Sequence, residues 1–581
     1  MKAIHRYIKP ALAGLVAAFM FPGCLQEIEP TSNATQEEVD KGDKTGLMTA
    51  VAAYLNTYNS SYSYDIGFMG FNIWRDASTS DMPVYSTAYD YFTYVEMCTY
   101  LGSEWAMQYT IWQRYYFLIQ KANLVLNAID VETYPDDAVP AVTALAYRAN
   151  AYMELAQWYE YKKTGVAAFD SQAEADGIMG LTVPIVTEST TEEDSRHNPR
   201  VPFYTIYRFI LSDLNKGEKY GAGATQPDSK TYPGIGVVYG LQARLWQLIG
   251  TRFELHPEDL ATALSHENDT DIPYDALGVT TSRECFVKAA EYARKAINCG
   301  YTPVTETQWF DPTTGFNSVN NSWMWANIIT TNNGLATTLT WQSWVSFMSP
   351  EATYGVATTG YGAYRMIDAR LFGTIPDSDW RKPTWIAPED ASNQQAFNSK
   401  YARGTSLSYT EWKDFAPYTA FKFHPANGDR NTSTIGNAVS MPLMRVEEMY
   451  LIEAEAVGRS QGDAAGRALL ESFVNTYRYT DASYKSTGAG LDGFIDDVFN
   501  QKRIELWGEG QILWDFKRLE KAIEKGYPGT NHSDLTRFNW APNLNAPWTT
   551  LTIPKAEVDF NNAVLPNPDP SHTGYYDLWS E

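Results

Sequence analysis

Apolar residues recur three and four positions apart over much of the chain, the spacing that gathers them on one side of an α-helix. The densest case lies at 441–521. In 445–458 (RVEEMYLIEAEAVG) apolar residues dominate one side, and Ala454, Ala456 and Gly458 leave room for a neighbouring backbone, which predicts a buried helix. Ser460-Gln461-Gly462 then reads as a turn. Asp463 can cap a second helix that carries Leu469, Leu470, Phe473, Val474 and Tyr477 at helical spacing. Two further helical segments, 495–507 and 511–524, are separated only by Gly508-Glu509-Gly510. In the last, Ile512, Phe516, Leu519 and Ile523 form one stripe, and Asp515 and Arg518 can pair across a turn.

Upstream, 112–129 and 139–163 are long and amphipathic with Pro135-Asp136-Asp137 between them, and they read as an antiparallel pair. A further helix is expected at 204–215. Segments 237–249 and 285–298 have the Ala-rich, Tyr/Trp-spaced character of tetratricopeptide helices, which bury by stacking a face that none could bury alone. Between 301 and 440 the texture changes to Gly, Thr, Asn, Ser and Trp, with short strands expected near 323–329 and 418–423, and another at 548–554. The fold class that follows is mainly α: TPR-like helical repeats forming a scaffold, with an irregular, loop-rich region containing short β-strands.

At the N-terminus, Lys2, Arg6 and Lys9 precede an apolar run, 11–21, too short to span a bilayer, which needs about twenty residues. It reads as a signal peptide covering 1–23. Cys24 directly follows a small residue there, which resembles a bacterial lipoprotein cleavage site. Acyl chains on Cys24 would anchor the chain to a membrane, with polar, acidic 24–44 as a flexible tether. The remaining organisation expected is a helical TPR-like part at 45–300, an aromatic-rich ligand region at 301–440 and a helical part with an extended tail at 441–581. Residues 45–581 are expected to form one unit.

With a formal net charge of -24 and no basic block, the chain would be repelled by a nucleic-acid backbone or an anionic lipid surface. A neutral partner fits better. Tyr and Trp, at 39 and 18, outnumber the 25 Phe, which favours rings that keep one polar end wet. The cysteines are Cys24, Cys98, Cys285 and Cys299. The last two would stand about 21 Å apart along one helix, beyond the roughly 7 Å that a disulfide allows.

Several motifs together resemble a known family. Pro442-Leu443-Met444-Arg445 leads into the acidic Ala/Glu helix, followed by Arg503-Ile504-Glu505-Leu506, Glu509-Gly510 and Trp514-Asp515-Phe516-Lys517-Arg518. This order is similar to the C-terminal signature of the SusD/RagB family, with Ile512 where members often carry arginine. Ile119, Ala122 and Asn123, then Arg148, Ala149, Tyr152 and Leu155, resemble its N-terminal pattern, with Thr143 where glutamate is common. Gly180-Leu181-Thr182-Val183-Pro184, Arg200, Asp213-Leu214, and finally Ile553, Pro554, Glu557 and Asn561 continue the resemblance in family order. Such proteins are outer-membrane lipoproteins of Gram-negative cells that capture glycans beside a SusC-type TonB-dependent transporter. The resemblance therefore implies a surface-exposed, lipid-anchored, non-catalytic glycan-binding protein, with Glu27 and Glu29 similar to the acidic signal for surface export.

Motifs for other chemistries fail on context. Gly458-Arg459-Ser460-Gln461-Gly462 matches a nucleophile elbow, yet a helix precedes it where a strand is required. Gly234, Gly236 and Gly240 are spaced one residue too far for a dinucleotide loop. His256 and His266 would stand about 15 Å apart on a helix, and H-E-x-x-H is absent. Glu505 and Glu509 could form a glycosidase pair, but packing and pairing with Arg503, Lys517 or Arg518 explains them better. No catalytic residue, metal or cofactor is expected.

A pyranose offers an apolar face and a rim of hydroxyls, so a flat ring beside Asn, Asp or Arg suits it. Two stretches meet that description. The first holds Trp74, Arg75, Asp76 and Asp81; the second holds Trp341, Trp344, Tyr354 and Tyr361, with Tyr364 beside it. Two other readings remain: an all-helical glycoside hydrolase or lyase, which would release product, and a peptide-binding TPR-like lipoprotein, which would ignore sugars. Cys24→Ala is expected to move the protein from the membrane pellet to the soluble fraction on ultracentrifugation; a variant that still sediments with membranes refutes lipid anchoring.

Overall fold

The computed structural model describes residues 44–59, 65–84, 92–225, 227–337, 343–354, 365–388, 405, 407–408, 411 and 415–581. Over these residues the apolar stripes become helices packed largely in chain order. Helices α1 (Thr45–Ala53) and α2 (Phe68–Ala77) precede α3 (Ala106–Ala128) and α4 (Ala138–Tyr159), which pack on each other. Then α5 (Phe203–Gly221) packs on α4, α6 (Ile235–Leu255) on α5, and α7 (Ser282–Ile297) on α6. Strand β1 (Trp323–Asn327) pairs antiparallel with β2 (Met441–Arg445), which leads into α8 (Val446–Gln461). Helix α8 lies on α7, α9 (Asp463–Tyr477) lies on α8, and α10 (Gly490–Glu505) and α11 (Ile512–Arg518) complete the stack. A helix inside such a stack buries one face on its predecessor and another on its successor, the mainly helical TPR-like arrangement expected. Thr45–Glu581 is a single unit, so the changes of texture near 300 and 440 fall within it. No helix among the described residues is long and apolar enough to cross a membrane.

Local chemistry explains the boundaries. Thr281 and Glu284 form a capping box at the start of α7, and Arg294 and Lys295 face the negative end of its dipole. The small residues foreseen on α8 do admit a backbone: a Cβ on Gly466 of α9 would lie 2.7 Å from both Gly458 Cα and Ala454 O. The turn between them is shorter than expected, because α8 runs on through Ser460 and Gln461, and Gly462 (φ 107°) rather than Asp463 occupies the cap.

The expected helix at 511–524 stops at Arg518. Glu520 takes a left-handed φ of 49°, while the Lys521 N–H reaches Phe516 O and the Glu520 N–H reaches Lys517 O, a Schellman stop made without glycine. Ile523 still packs inside, but on a short strand, Ile523–Glu524, paired with Asn539–Trp540. Near 418–423 only isolated bridges form, Met366 with Thr419 and Trp385 with Ala420. At 548–554 a short 3-10 turn, Pro547–Thr549, stands where a strand was expected.

The interior holds an unusual concentration of charge. Arg445 lies 3.0 Å from both Glu447 and Glu505 and 2.8 Å from Glu509. Arg478 and Arg381 meet Glu505 at 2.7 and 2.8 Å, Arg381 also binds Asp379 at 2.6 Å, and Lys422 binds Glu509 at 2.6 Å. These side chains are at most 3% exposed, and the four cations balance the four anions. Burial pushes the Glu505 carboxyl up, but the guanidinium groups of Arg478, Arg445 and Arg381 hold it well below the usual carboxylate range. The expected partners Arg503, Lys517 and Arg518 are engaged elsewhere: Arg503 with Asp81, Arg518 with Glu455 and Asp515, and Lys517 with the Gln157 and Thr549 carbonyls.

Removing one member leaves a buried charge unpaired. Glu505→Gln should lower the unfolding free energy by about 3–5 kcal/mol in urea titrations, whereas Lys555→Ala, which breaks the exposed Lys555–Asp559 pair, should leave the urea midpoint nearly unchanged. Equal small effects would show that the network is dispensable.

Candidate functional site

The early aromatic stretch lies inside the protein. Trp74 on α2 is 1% exposed and sits edge-on to Trp158 at 6.1 Å. Arg75 binds Glu154 at 2.7 Å and stands over the Trp514 ring. Asp76 Oδ2 accepts the Gly510 N–H at 2.9 Å, and Asp81 forms a bidentate pair with Arg503 while its carbonyl accepts the Trp507 indole N–H. Gly510 (φ 71°) is tight here, since a Cβ would come 2.5 Å from Asn72 Cα. The expectation of an exposed sugar platform at Trp74, Arg75, Asp76 and Asp81 is therefore corrected: the stretch docks on the C-terminal signature. Trp344 is also interior, 4% exposed and edge-on to Phe423 at 4.7 Å. Tyr354 ends the 3-10 turn Pro350–Tyr354, with its side chain outside the described part. Trp341, Tyr361, Tyr364 and Cys24 lie outside the described residues.

The two stretches nevertheless converge, through residues that bound them. Val84 bridges Arg365 antiparallel, and the Met366 N–H donates to Pro83 O at 2.9 Å. The Arg365 guanidinium, 1% exposed, lies 3.0 Å from Glu96, donates to Phe347 O at 3.2 Å and stands over the Phe92 ring. Phe92 meets Phe347 edge-on at 5.3 Å. Ser343 caps the turn Trp344–Met348 by accepting the Ser346 N–H, and its hydroxyl donates to Asn437 at 2.7 Å. Behind them, Glu351 accepts from the Thr405 hydroxyl and pairs with His424 at 3.1 Å. Val84 and Phe92, on either side of 85–91, thus meet Arg365, which follows 355–364. Thr405, which follows 389–404, meets Glu351, and Ser343, which follows 338–342, opens the turn that carries Phe347. Those segments carry Tyr85, Tyr89, Tyr91, Trp341, Tyr361 and Tyr364.

The Glu351 and His424 side chains are fully buried, and no group of three His, Cys, Asp or Glu side chains that could hold a metal occurs among the described residues. Ser460 is inside α8, with its hydroxyl donating to Ala456 O, and the described strands form only two-stranded antiparallel pairs, so the hydrolase elbow is absent there. His256 and His266 bind Glu520 and Asp269 separately. Arg365, Glu96 and Phe92 escaped the sequence reading because a lone arginine in Gly/Tyr-rich surroundings carries no local signal of its partners.

Two family models match the chain: the SusD family over 292–572, and "Starch-binding associating with outer membrane" over 33–245. The chain belongs to the SusD family. This SusD-family chain is similar to a SusD-like carbohydrate binding protein from Bacteroides vulgatus, with 20% identity and a TM-score of 0.63, covering 92% of this chain and 98% of that one. A SusD superfamily protein from Bacteroides thetaiotaomicron gives 16% identity and a TM-score of 0.60, with 92% and 100% coverage. These likenesses show a shared SusD-like helical fold. None of the curated proteins compared with the chain matches it. Within the SusD signature seen here, Arg445, Glu505 and Glu509 supply the buried network, Gly510 and Trp514 receive α2, and Arg503 holds Asp81 just beyond it.

Burial pushes the Asp76 carboxyl up to about 7, against the opposing pull of the Gly510 N–H and Arg75. A folded-state value above the unfolded one means that the native protein holds this proton longer, so the contribution is full at low pH and is lost as pH rises through 7. Wild type should lose about 2–3 kcal/mol of stability from this group between pH 5 and pH 8, a slope absent in Asp76→Asn. Parallel pH profiles of the two proteins in urea titrations would contradict the assignment.

Proposed function

We propose that this SusD-family chain is a surface glycan-binding protein that captures oligosaccharide or polysaccharide and passes it to a SusC-like TonB-dependent transporter. The single observation that carries the reading is the pair of SusD-type family matches in the two halves of the chain. Acyl chains on Cys24 hold it to the outer membrane, facing outward. Trp341, Tyr354 and Tyr361 are the proposed contacting rings, and the Arg365–Glu96 base supports this by tying down residues that flank their segments. Trp74, Arg75, Asp76, Asp81 and Trp344 act at one remove, through packing. Glycan lies against rings with hydroxyls on polar neighbours, and modest affinity serves capture followed by release.

Catalysis is not part of the proposal, because the Glu505 and Glu509 carboxylates are spent on cations. A glycan array should identify a ligand, which then retards the protein in a native affinity gel. Trp341→Ala and Tyr361→Ala should each weaken retardation about tenfold, and a reducing-end assay should stay flat. Release of reducing sugar would establish a hydrolase instead; an array with no bound glycan would remove the reading altogether.

A further inference from the structure

A second group of rings stands on the surface where residues 94–105 meet the chain's closing stretch. Tyr100, Trp105 and Tyr575 are 48%, 47% and 53% exposed. Tyr100 touches Trp105 at a centroid distance of 4.2 Å and meets Tyr94 edge-on at 5.0 Å, while Tyr575 leans on buried Phe169 at 4.6 Å. With Gln172, Asp569 and Thr573 these three rings line a cavity of about 470 Å³. Large rings grouped in one exposed place mark an interaction site.

The backbone supports that reading. Cys98 and Tyr100 hold left-handed φ values of 50° and 56°, which non-glycine residues keep only where the surroundings impose them. The closing stretch imposes them here: the His572 N–H donates to Cys98 O at 2.9 Å, and the Leu101 N–H donates to Ser571 Oγ at 3.1 Å. The residues that line the cavity on one side therefore hold the rings on the other.

The occupant's chemistry follows from the lining. Flat rings beside an amide, a carboxylate and a hydroxyl fit a pyranose, whose C–H face stacks while its hydroxyls bond to the rim. We propose that this cleft is a second carbohydrate-binding site. The inference rests on the glycan-binding reading above.

Native gels cast with soluble starch, pectic galactan, galactomannan or arabinoxylan test it on the full chain. In the gel that retards wild type, Trp105→Ala/Tyr575→Ala should bind roughly tenfold more weakly, and Trp105→Phe/Tyr575→Phe, which keeps the rings, should retain most of the retardation. Trp341→Ala reports the other site independently. Unchanged retardation of the double alanine variant, or equal loss in the double phenylalanine variant, overturns the second site and leaves the functional reading standing. Wild type retarded in none of the four gels overturns both.

Discussion

The buried meeting of Arg381 and Lys422 with Glu505 and Glu509 ties the irregular region at 301–440 to the helical stack. Taking charges out of water costs several kcal/mol per ion, and only close, multiple pairing offsets it. Here Glu505 faces three guanidinium groups and Glu509 faces Arg445 and Lys422, so each cost is met by more than one partner. Such a network is exacting about position. Moving any contributing segment leaves a charge stranded, so 379–381, 422, 445–447, 478 and 505–509 are held in one relation.

That relation reaches the surroundings of Arg365. Lys422 anchors the segment whose Thr419 and Ala420 bridge Met366 and Trp385, and Met366 adjoins Arg365. The residues that flank the aromatic segments therefore rest, through a few backbone bridges, on the charge network. The same arrangement leaves Glu505 and Glu509 engaged with cations.

The early stretch shows where composition misleads. Tryptophan beside arginine and aspartate looks the same whether it faces a sugar or the protein's own C-terminal signature. Trp74, Arg75 and Asp76 are buried because Glu154, Gly510 and Trp514 come to them from 79 to more than 400 residues away. Three of the exposed rings, Tyr100, Trp105 and Tyr575, sit in a short turn and an extended tail without any repeat to single them out. Their grouping exists only after the tail has docked.

What the sequence by itself determined are the helices and their packing faces. Stripes at helical spacing, the Thr281–Glu284 box and the small residues of α8 act over a few positions, and so did the signature that marks the SusD family. Tertiary structure alone decided which charges pair, which aromatic residues see water and where the helix after Gly510 stops. The physical reason is range: periodicity and capping are properties of neighbours in the chain, whereas burial and ion pairing depend on groups such as Arg381 and Glu505, 124 residues apart, that meet only when the whole stack has formed.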